Sequence, residues 1–366
     1  MPADRSGELI TDTADPGIPV VVVLGCGETG PVGADLRSIP EMVLVAIEAA
    51  LHDADMAWDD IDATVTASVD LVDGLTASGV AVTEVVGAVL RPETRIAADG
   101  LAAAIHATHQ LSAGAYRTVL VVAHGKASMA PYWDLTAWAV DPVMLQPLGV
   151  DFLTIAALQA RLLAGTDTTV MHRWAELVAD RRGAAGGGIA GPVTVDDVLG
   201  SIEVATPIRA QMCAPLGDGA CAVVLGVPRS GSLEGTVLIS GTGHDLSPHY
   251  PGDGNLSEWA GLRRACSRAY AAAGIDDPET AFVVAEPSCL FPHEETLFVE
   301  ATRIGRSTTV SPDGGLFAGT APVAAGLSRL VRAVRAVAGR PGRRALAHGT
   351  WGPAGQGQAV AVVEAR

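Results

Sequence analysis

Two stretches of this chain follow the same order of apolar runs, and that repetition limits the possible folds more than any single motif does. The first opens with PVVVVLG from Pro19, an unbroken β-branched run that reads as a strand buried on both faces. A helix follows in IPEMVLVAIEAALHDADM, where Val43, Ile47, Ala50 and Leu51 share one face. DDIDATVTAS reads as a second strand, the Ala-rich stretch from Gly100 as a helix, and RTVLVVAHG as a third strand. The second stretch repeats the rhythm. GTVLISGTG (235–243) is a strand, LSEWAGLRRACSRAYAAAGI (256–275) a helix and ETAFVVAEP (279–287) a strand. TAPVAAGLSRLVRAVRAVAG (320–339) is a helix, and RRALAHG and QAVAVVEA are strands. Two copies of one β-α-β unit predict a duplicated α/β fold with helices between two sheets. The halves fall at 19–232 and 233–366, preceded by a flexible tail over 1–18.

A segment of different character, roughly 126–210, interrupts the first half. It holds Trp133, Trp138 and Trp174 and the flexible RRGAAGGGIAG. An insertion of this kind shapes a binding site more often than it fills a core. The chain returns through TPIRAQMCAPLGDGACAVVLG, whose GDG reads as a turn before a buried strand from Ala220 to Gly226.

The composition, 49% hydrophobic and 18% charged over 366 residues, suffices for a large core. A net charge of −17 argues against a nucleic-acid partner, which needs clustered Lys and Arg. The five cysteines (Cys26, Cys213, Cys221, Cys266, Cys289) include no CxxC pair, so neither a zinc site nor a disulfide framework is expected. Such thiols suit a cytoplasmic protein. The polar, acidic start MPADRSGELITDTADPG is unlike a signal peptide, and LVDGLTASGVAVTEVVGAVL carries Asp73 and Glu84, so no membrane span is expected.

Four pieces in order, VVVVLGCGETG, VATPIRAQMCAPLGDGACAVVLG, SPDGGLFAGTAPVAAG and ALAHGTWG, make the chain resemble a thiolase. The branch it resembles is related to the sterol-carrier-protein thiolases and is called lipid-transfer proteins in bacteria. The resemblance runs from about Pro19 to the C-terminus. It implies an α/β, five-layer α-β-α-β-α fold of two duplicated halves plus a loop domain. It also implies an acyl-CoA as ligand or substrate, no further cofactor, and a homodimer joined through the first half.

The same resemblance exposes what is missing. The family's cysteine nucleophile falls on Ala97, and no cysteine lies between Cys26 and Cys213. The His-Asp-Cys-Phe motif falls on Ser288-Cys289-Leu290-Phe291, so Ser288 replaces an oxyanion-hole histidine. The Gly-His-Pro motif falls on Gly319-Thr320-Ala321, so Thr320 replaces the activating histidine. The last family cysteine falls near Trp351. The loss of the family's cysteine argues against ordinary thiolysis and Claisen condensation through an acyl-enzyme. By resemblance, His348, Gly349 and Gly355 form a pocket wall near the C-terminus, with Asp99, Gly100, Gly319 and Trp351 also at the substrate.

Cys289, with His293 or His348 as base, is a candidate replacement nucleophile; a buried free cysteine is the plainer expectation. His106 and His109 lie three apart on a helix with no third metal ligand nearby, so they read as core or interface polar groups. Glu294 and Glu295 suit the first turn of a helix after Pro292, and Asp99 suits an N-cap; each is also a candidate base. Three functions follow. One is a noncatalytic acyl-CoA-binding protein, or a subunit that needs an active thiolase-fold partner. The second is a retro-aldol lyase acting on a β-hydroxyacyl-CoA with a zinc-ribbon/OB-fold partner. There Tyr132 and Tyr250 are the nearest substitutes for the tyrosines of such relatives. The third is an acyltransferase using Cys289 or Ser288.

Overall fold

The computed structural model describes residues 19–366 except 75, 76, 168, 187, 229–232 and 249, so the expected tail over 1–18 lies outside the described residues. The strands are β1 (Val22–Glu28), β2 (Ala63–Ala67), β3 (Glu93–Ile96), β4 (Thr118–Lys126), β5 (Glu203–Ala205), β6 (Ile208–Arg209), β7 (Asp218–Gly226), β8 (Val237–Leu246), β9 (Val284–Glu286), β10 (Thr309–Val310), β11 (Arg344–Trp351) and β12 (Gly357–Ala365). The helices are α1 (Ile39–Asp53), α2 (Asp70–Asp73), α3 (Gly100–Ser112), α4 (Tyr132–Thr136), α5 (Phe152–Ala164), α6 (Val170–Ala184), α7 (Val195–Gly200), α8 (Ala260–Ala272), α9 (Pro278–Ala281), α10 (Pro292–Thr302) and α11 (Ala325–Val337).

The expected separation into two sheets needs one correction. The half-sheets join into a single ten-stranded sheet, ordered β10-β9-β11-β12-β8-β1-β7-β4-β2-β3. The seam between β1 and β8 is narrow, pairing Val22 with Leu238 and Val23 with Val237. The sheet still sandwiches helices, because its strands are apolar on both faces. On β4, Val119, Val121 and Ala123 point to one cluster and Leu120 and Val122 to another, the period of two that a strand imposes.

That alternation creates the layers. In the central layer Leu101 and Ala104 of α3 and Leu327 and Val331 of α11 pack with Val65 and Val121 of one half-sheet and Ala347 and Ala361 of the other. Outside the first half-sheet, Met42 and Ile47 of α1 cover Leu120 and Val224. Outside the second, Leu262 of α8 and Phe298 of α10 cover Leu346 and Val360. A capping box between Ser38 and Glu41 starts α1.

Two further boundaries differ from expectation. Asp218 and Gly219 already belong to β7, because Asp218 exchanges backbone hydrogen bonds with Val32 and pairs with Lys126 of β4. The stretch 279–287 begins as helix, because Asp277 caps α9 and Pro278 sits at its first turn. Between β4 and β7 the chain forms α4–α7 and the β5–β6 hairpin, with a core of its own in which Trp174 and Val178 meet Phe291 and Phe317. Trp138, by contrast, is exposed.

Candidate active site at the heads of the central helices

The N-termini of α3 and α11 are fastened by one carboxylate. Asp99 is the N-cap of α3, and its Oδ1 accepts the Leu101 amide at 2.8 Å. Its Oδ2 accepts the Gly326 amide, in the first turn of α11, at 2.9 Å. The Gly100 amide donates to the Val323 carbonyl at 2.7 Å. Amides that a helix start leaves without intrahelical partners are thus satisfied on both helices by one side chain. Asp99 is 3% exposed. Burial pushes its pKa up to about 7, against the opposing pull of the Gly326, Leu101 and Gly100 amides.

Two glycines make room for that carboxylate. A Cβ on Gly326 or on Gly349 would land on Asp99 Oδ1. Gly349→Ala is therefore expected to destabilise the fold by about 1–3 kcal/mol, the usual cost of overpacking a tight core. Urea denaturation checks this, and a variant as stable as the parent would show that the carboxylate can move aside freely.

A cavity of about 200 Å³ opens above the two helix heads. Its walls are largely apolar, with Val69, Val72, Phe152 and Pro322 among them. Ala97, Asp99, Ser288, Thr320 and Trp351 all border it, so five positions singled out from the sequence converge on one space. Ala97 is exposed there, and Trp351 lines the cavity without filling it. Tyr132, at the start of α4, borders the same space. Burial, and then the nearby Asp99 charge, push its phenol up to about 12, so it is protonated at neutral pH.

The other sequence candidates lie elsewhere. Cys289 is buried in the apolar cluster beneath the C-terminal half-sheet, and burial, followed by the charges of Glu294 and Glu295, drives its thiol well above the usual range. Burial of this kind disfavours the thiolate, the reactive form of a cysteine. His348 is buried, and its Nδ1 accepts the amide of Ser288, the residue before Cys289, at 3.2 Å. His348 Nε2 lies 2.6 Å from Gln358 Oε1, and the tautomer follows from this network, with the proton on Nε2. Burial lowers His348 to about 4 and His293 to about 3, so both are neutral spacers rather than thiol activators. Gly355 lines a separate pocket together with Tyr250, and Gly319 faces the far side of Thr320. Glu295 is paired with Arg181, and Glu294 accepts the Leu290 and Phe291 amides at the start of α10. His109 is exposed and stands near His244. Among the described residues no cluster of three or more His, Cys, Asp or Glu side chains is arranged to hold a metal ion.

Sequence reasoning missed two parts of the site. The α2 wall carries no motif, only apolar residues. Gly326 is visible in SPDGGLFAGTAPVAAG, but its need to be glycine is set by a carboxylate 227 positions away. No helix among the described residues is long and apolar enough to cross a membrane.

No protein-family model and no curated protein matches the sequence. Solved structures do. An aldolase described as Ltp2-ChsH2(DUF35) superposes with a TM-score of 0.75 at 18% identity, over 95% of this chain and 98% of that one. A monomeric SCP2-thiolase-like protein type 1 from Mycobacterium smegmatis superposes with a TM-score of 0.71 at 19% identity, over 96% of this chain and 77% of that one. The layers, the duplicated halves and these two matches together establish a thiolase-like fold for this chain.

Proposed function

We propose that the protein binds an acyl thioester with its reacting end beside Ala97 and cleaves a β-hydroxyacyl group by retro-aldol chemistry, with no covalent intermediate. One observation carries this reading. A carboxyl group poised near neutrality and a protonated phenol, Asp99 and Tyr132, share an apolar cavity that no cysteine lines among the described residues. A base with a pKa near the working pH is the efficient choice for proton abstraction.

In this mechanism Asp99 takes the β-hydroxyl proton. The bond between the α and β carbons breaks, and the β carbon leaves as an aldehyde or ketone. The bonding electron pair passes into the thioester as an enolate, which Tyr132 protonates at the α carbon. The proton on Asp99 then restores Tyr132, so the cycle needs no co-reactant. The Ser288 and Thr320 hydroxyls border the cavity as donors for the enolate oxygen, the charge that must be stabilised. The aldolase with the same fold supports the reaction class, and its DUF35 component supports a zinc-ribbon/OB-fold partner for this chain. A homodimer joined through the first half, acting in the cytoplasm on a lipid or polyketide-type acyl-CoA, belongs to the same proposal.

One observation favours a second reading. Both oxygens of Asp99 already accept backbone amides, which is all that a structural staple requires. In that reading the cavity binds the thioester and the chemistry belongs to a partner subunit. Incubating the protein with β-hydroxyacyl-CoA, alone and with a DUF35-type partner, separates the two. The expected result is an aldehyde or ketone product. Tight binding without product in either case would leave the noncatalytic reading, and no binding would reject both.

Two further results are expected. Because Asp99 must be ionised to act, kcat/KM rises with pH through about 7 along a single-proton curve; a profile flat from pH 6 to 8 rules out this base. Intact-mass measurement after exposure to acyl-CoA shows no added acyl group. Acylation at Cys289 or Ser288 would instead revive the relocated acyltransferase.

A further inference from the structure

Behind the cavity, His348 and Gln358 form a chain of hydrogen bonds that can run in only one direction. The Ser288 amide donates to His348 Nδ1 at 3.2 Å. His348 Nε2 lies 2.6 Å from Gln358 Oε1, and Gln358 Nε2 donates to the Gly355 carbonyl at 2.6 Å. An amide N–H can only donate and a carbonyl oxygen can only accept, so the two backbone ends fix every group between them. Gln358 must turn its NH2 to Gly355 and its oxygen to His348, and the imidazole must carry its proton on Nε2. An imidazolium would set an Nδ1–H against the Ser288 N–H. Ser288, His348 and Gln358 are all buried, so each depends on its neighbour in the chain rather than on solvent.

The chain also meets the carboxylate of Asp99 from behind. Neighbours on a strand point to opposite faces. On β11, His348 packs in the outer layer against Trp259 and Phe298, with ring centroids 5.6 and 5.2 Å from its own. A Cβ on the next residue, Gly349, would point the other way and land on Asp99 Oδ1. Two adjacent residues thus abut Asp99 on one face of the strand and hold the Ser288 amide on the other. The far end of the chain secures the turn after β11. Trp351 and Gly352 line the cavity, Gly355 accepts from Gln358, and the Ala354 carbonyl accepts from Trp259 Nε1 at 3.1 Å. Burial lowers His348 to about 4, against the pull of the Gln358 hydrogen bond, so the ring stays neutral while Asp99 titrates at about 7.

We infer that His348 and Gln358 are positioning residues for the aldol cleavage: they fix where Ser288 stands relative to Asp99 and hold the 351–355 turn against the cavity. This inference rests on the aldol reading above. A donor must stand where the enolate charge develops, and a shift of about 1 Å can cost about 10²-fold in rate. That charge appears only as the bond between the α and β carbons breaks, so a displaced Ser288 costs turnover rather than thioester binding.

NMR of ring-15N histidine, together with steady-state kinetics on a β-hydroxyacyl-CoA, tests it in the parent, Gln358→Met and Gln358→Glu. The His348 signals are those missing from His348→Asn. In the parent, His348 keeps a protonated Nε2 and a bare Nδ1 from pH 6 to 8. Gln358→Met, which buries no new charge, lowers kcat by about 10–100-fold and leaves KM within about threefold. Gln358→Glu removes the NH2 that Gly355 accepts from, and its carboxylate draws a second proton onto His348. The ring then reads as imidazolium at pH 6, and kcat falls at least as far. Either variant decides the matter if the other fails to fold. A parent ring protonated on Nδ1 overturns the chain. A kcat within twofold of the parent, or a loss carried by KM alone, overturns the positioning role. If the parent cleaves no β-hydroxyacyl-CoA, with or without a DUF35-type partner, the aldol reading itself fails and the positioning role falls with it; cleavage by the parent with unchanged variants rejects the positioning role alone.

Discussion

Replacing Asp99 by asparagine should lower kcat/KM for aldol cleavage by about 10²–10⁴-fold, the usual contribution of a positioned general base. The same change should alter how stability depends on pH. The folded pKa of Asp99, about 7, lies above its ordinary value of 3.8. The fold therefore binds this proton more tightly than the unfolded chain does. The resulting stability is complete below about pH 4 and is lost as pH rises through 7, a difference on the order of 4 kcal/mol. Asparagine does not ionise, so it lacks this dependence. It also presents a carboxamide NH2, a donor, where a backbone amide hydrogen must be accepted, which costs about 1–3 kcal/mol at any pH. Asp99→Asn should thus be less stable than the parent at pH 5 and should close that gap, or reverse it, by pH 8. Urea denaturation at the two values measures this directly. A gap that stays constant with pH would show that Asp99 is ionised throughout, and full activity in the variant would remove it from the mechanism.

Asp218→Ala should cost about 3–5 kcal/mol of stability, the scale seen when one member of a buried, hydrogen-bonded ion pair is removed. Asp218 is wholly buried at the start of β7. Its carboxylate accepts the Asp35 amide at 2.8 Å, the Ser128 amide at 2.9 Å, the Ser128 hydroxyl at 2.6 Å and the Lys126 ammonium at 3.1 Å. Burial alone would raise its pKa, but those four donors outweigh burial and hold it below the ordinary carboxylate value. The sign is therefore opposite to that of Asp99. This stability is present above about pH 4 and is lost as pH falls through the depressed folded value. The deficit of Asp218→Ala should accordingly be full at pH 7 and shrink in strong acid. A deficit under 1 kcal/mol at pH 7 would mean that Lys126, through the Asp35 and Arg37 carbonyls, holds the loop unaided.

The layered fold was legible because its physics is local. Strands apolar on both faces and a repeated β-α-β order are visible in any window of the chain, and β4, β7, β8 and β12 lie where the apolar runs place them. Element ends were less legible. The turn expected at GDG became strand because of pairing with Val32, a contact 186 positions away that no local rule contains. The site divides in the same way. Ala97, Ser288 and Thr320 could be placed through motif order alone, and they border one cavity. What surrounds them could not. That Cys289 turns into the apolar layer under the sheet, and that Tyr132 rather than Tyr250 reaches the cavity, depends on packing between segments far apart in the chain.

The shared carboxylate also bears on symmetry. Two copies of one unit, placed face to face, would carry two equivalent caps, one at each central helix. Here a single side chain from the first copy serves both helices, and the second copy supplies the glycines, Gly326 and Gly349, that receive it. The duplication is therefore no longer interchangeable at its centre. Either copy can drift over its outer layer while the other compensates, but the point where the two helices meet can be rebuilt from one side only.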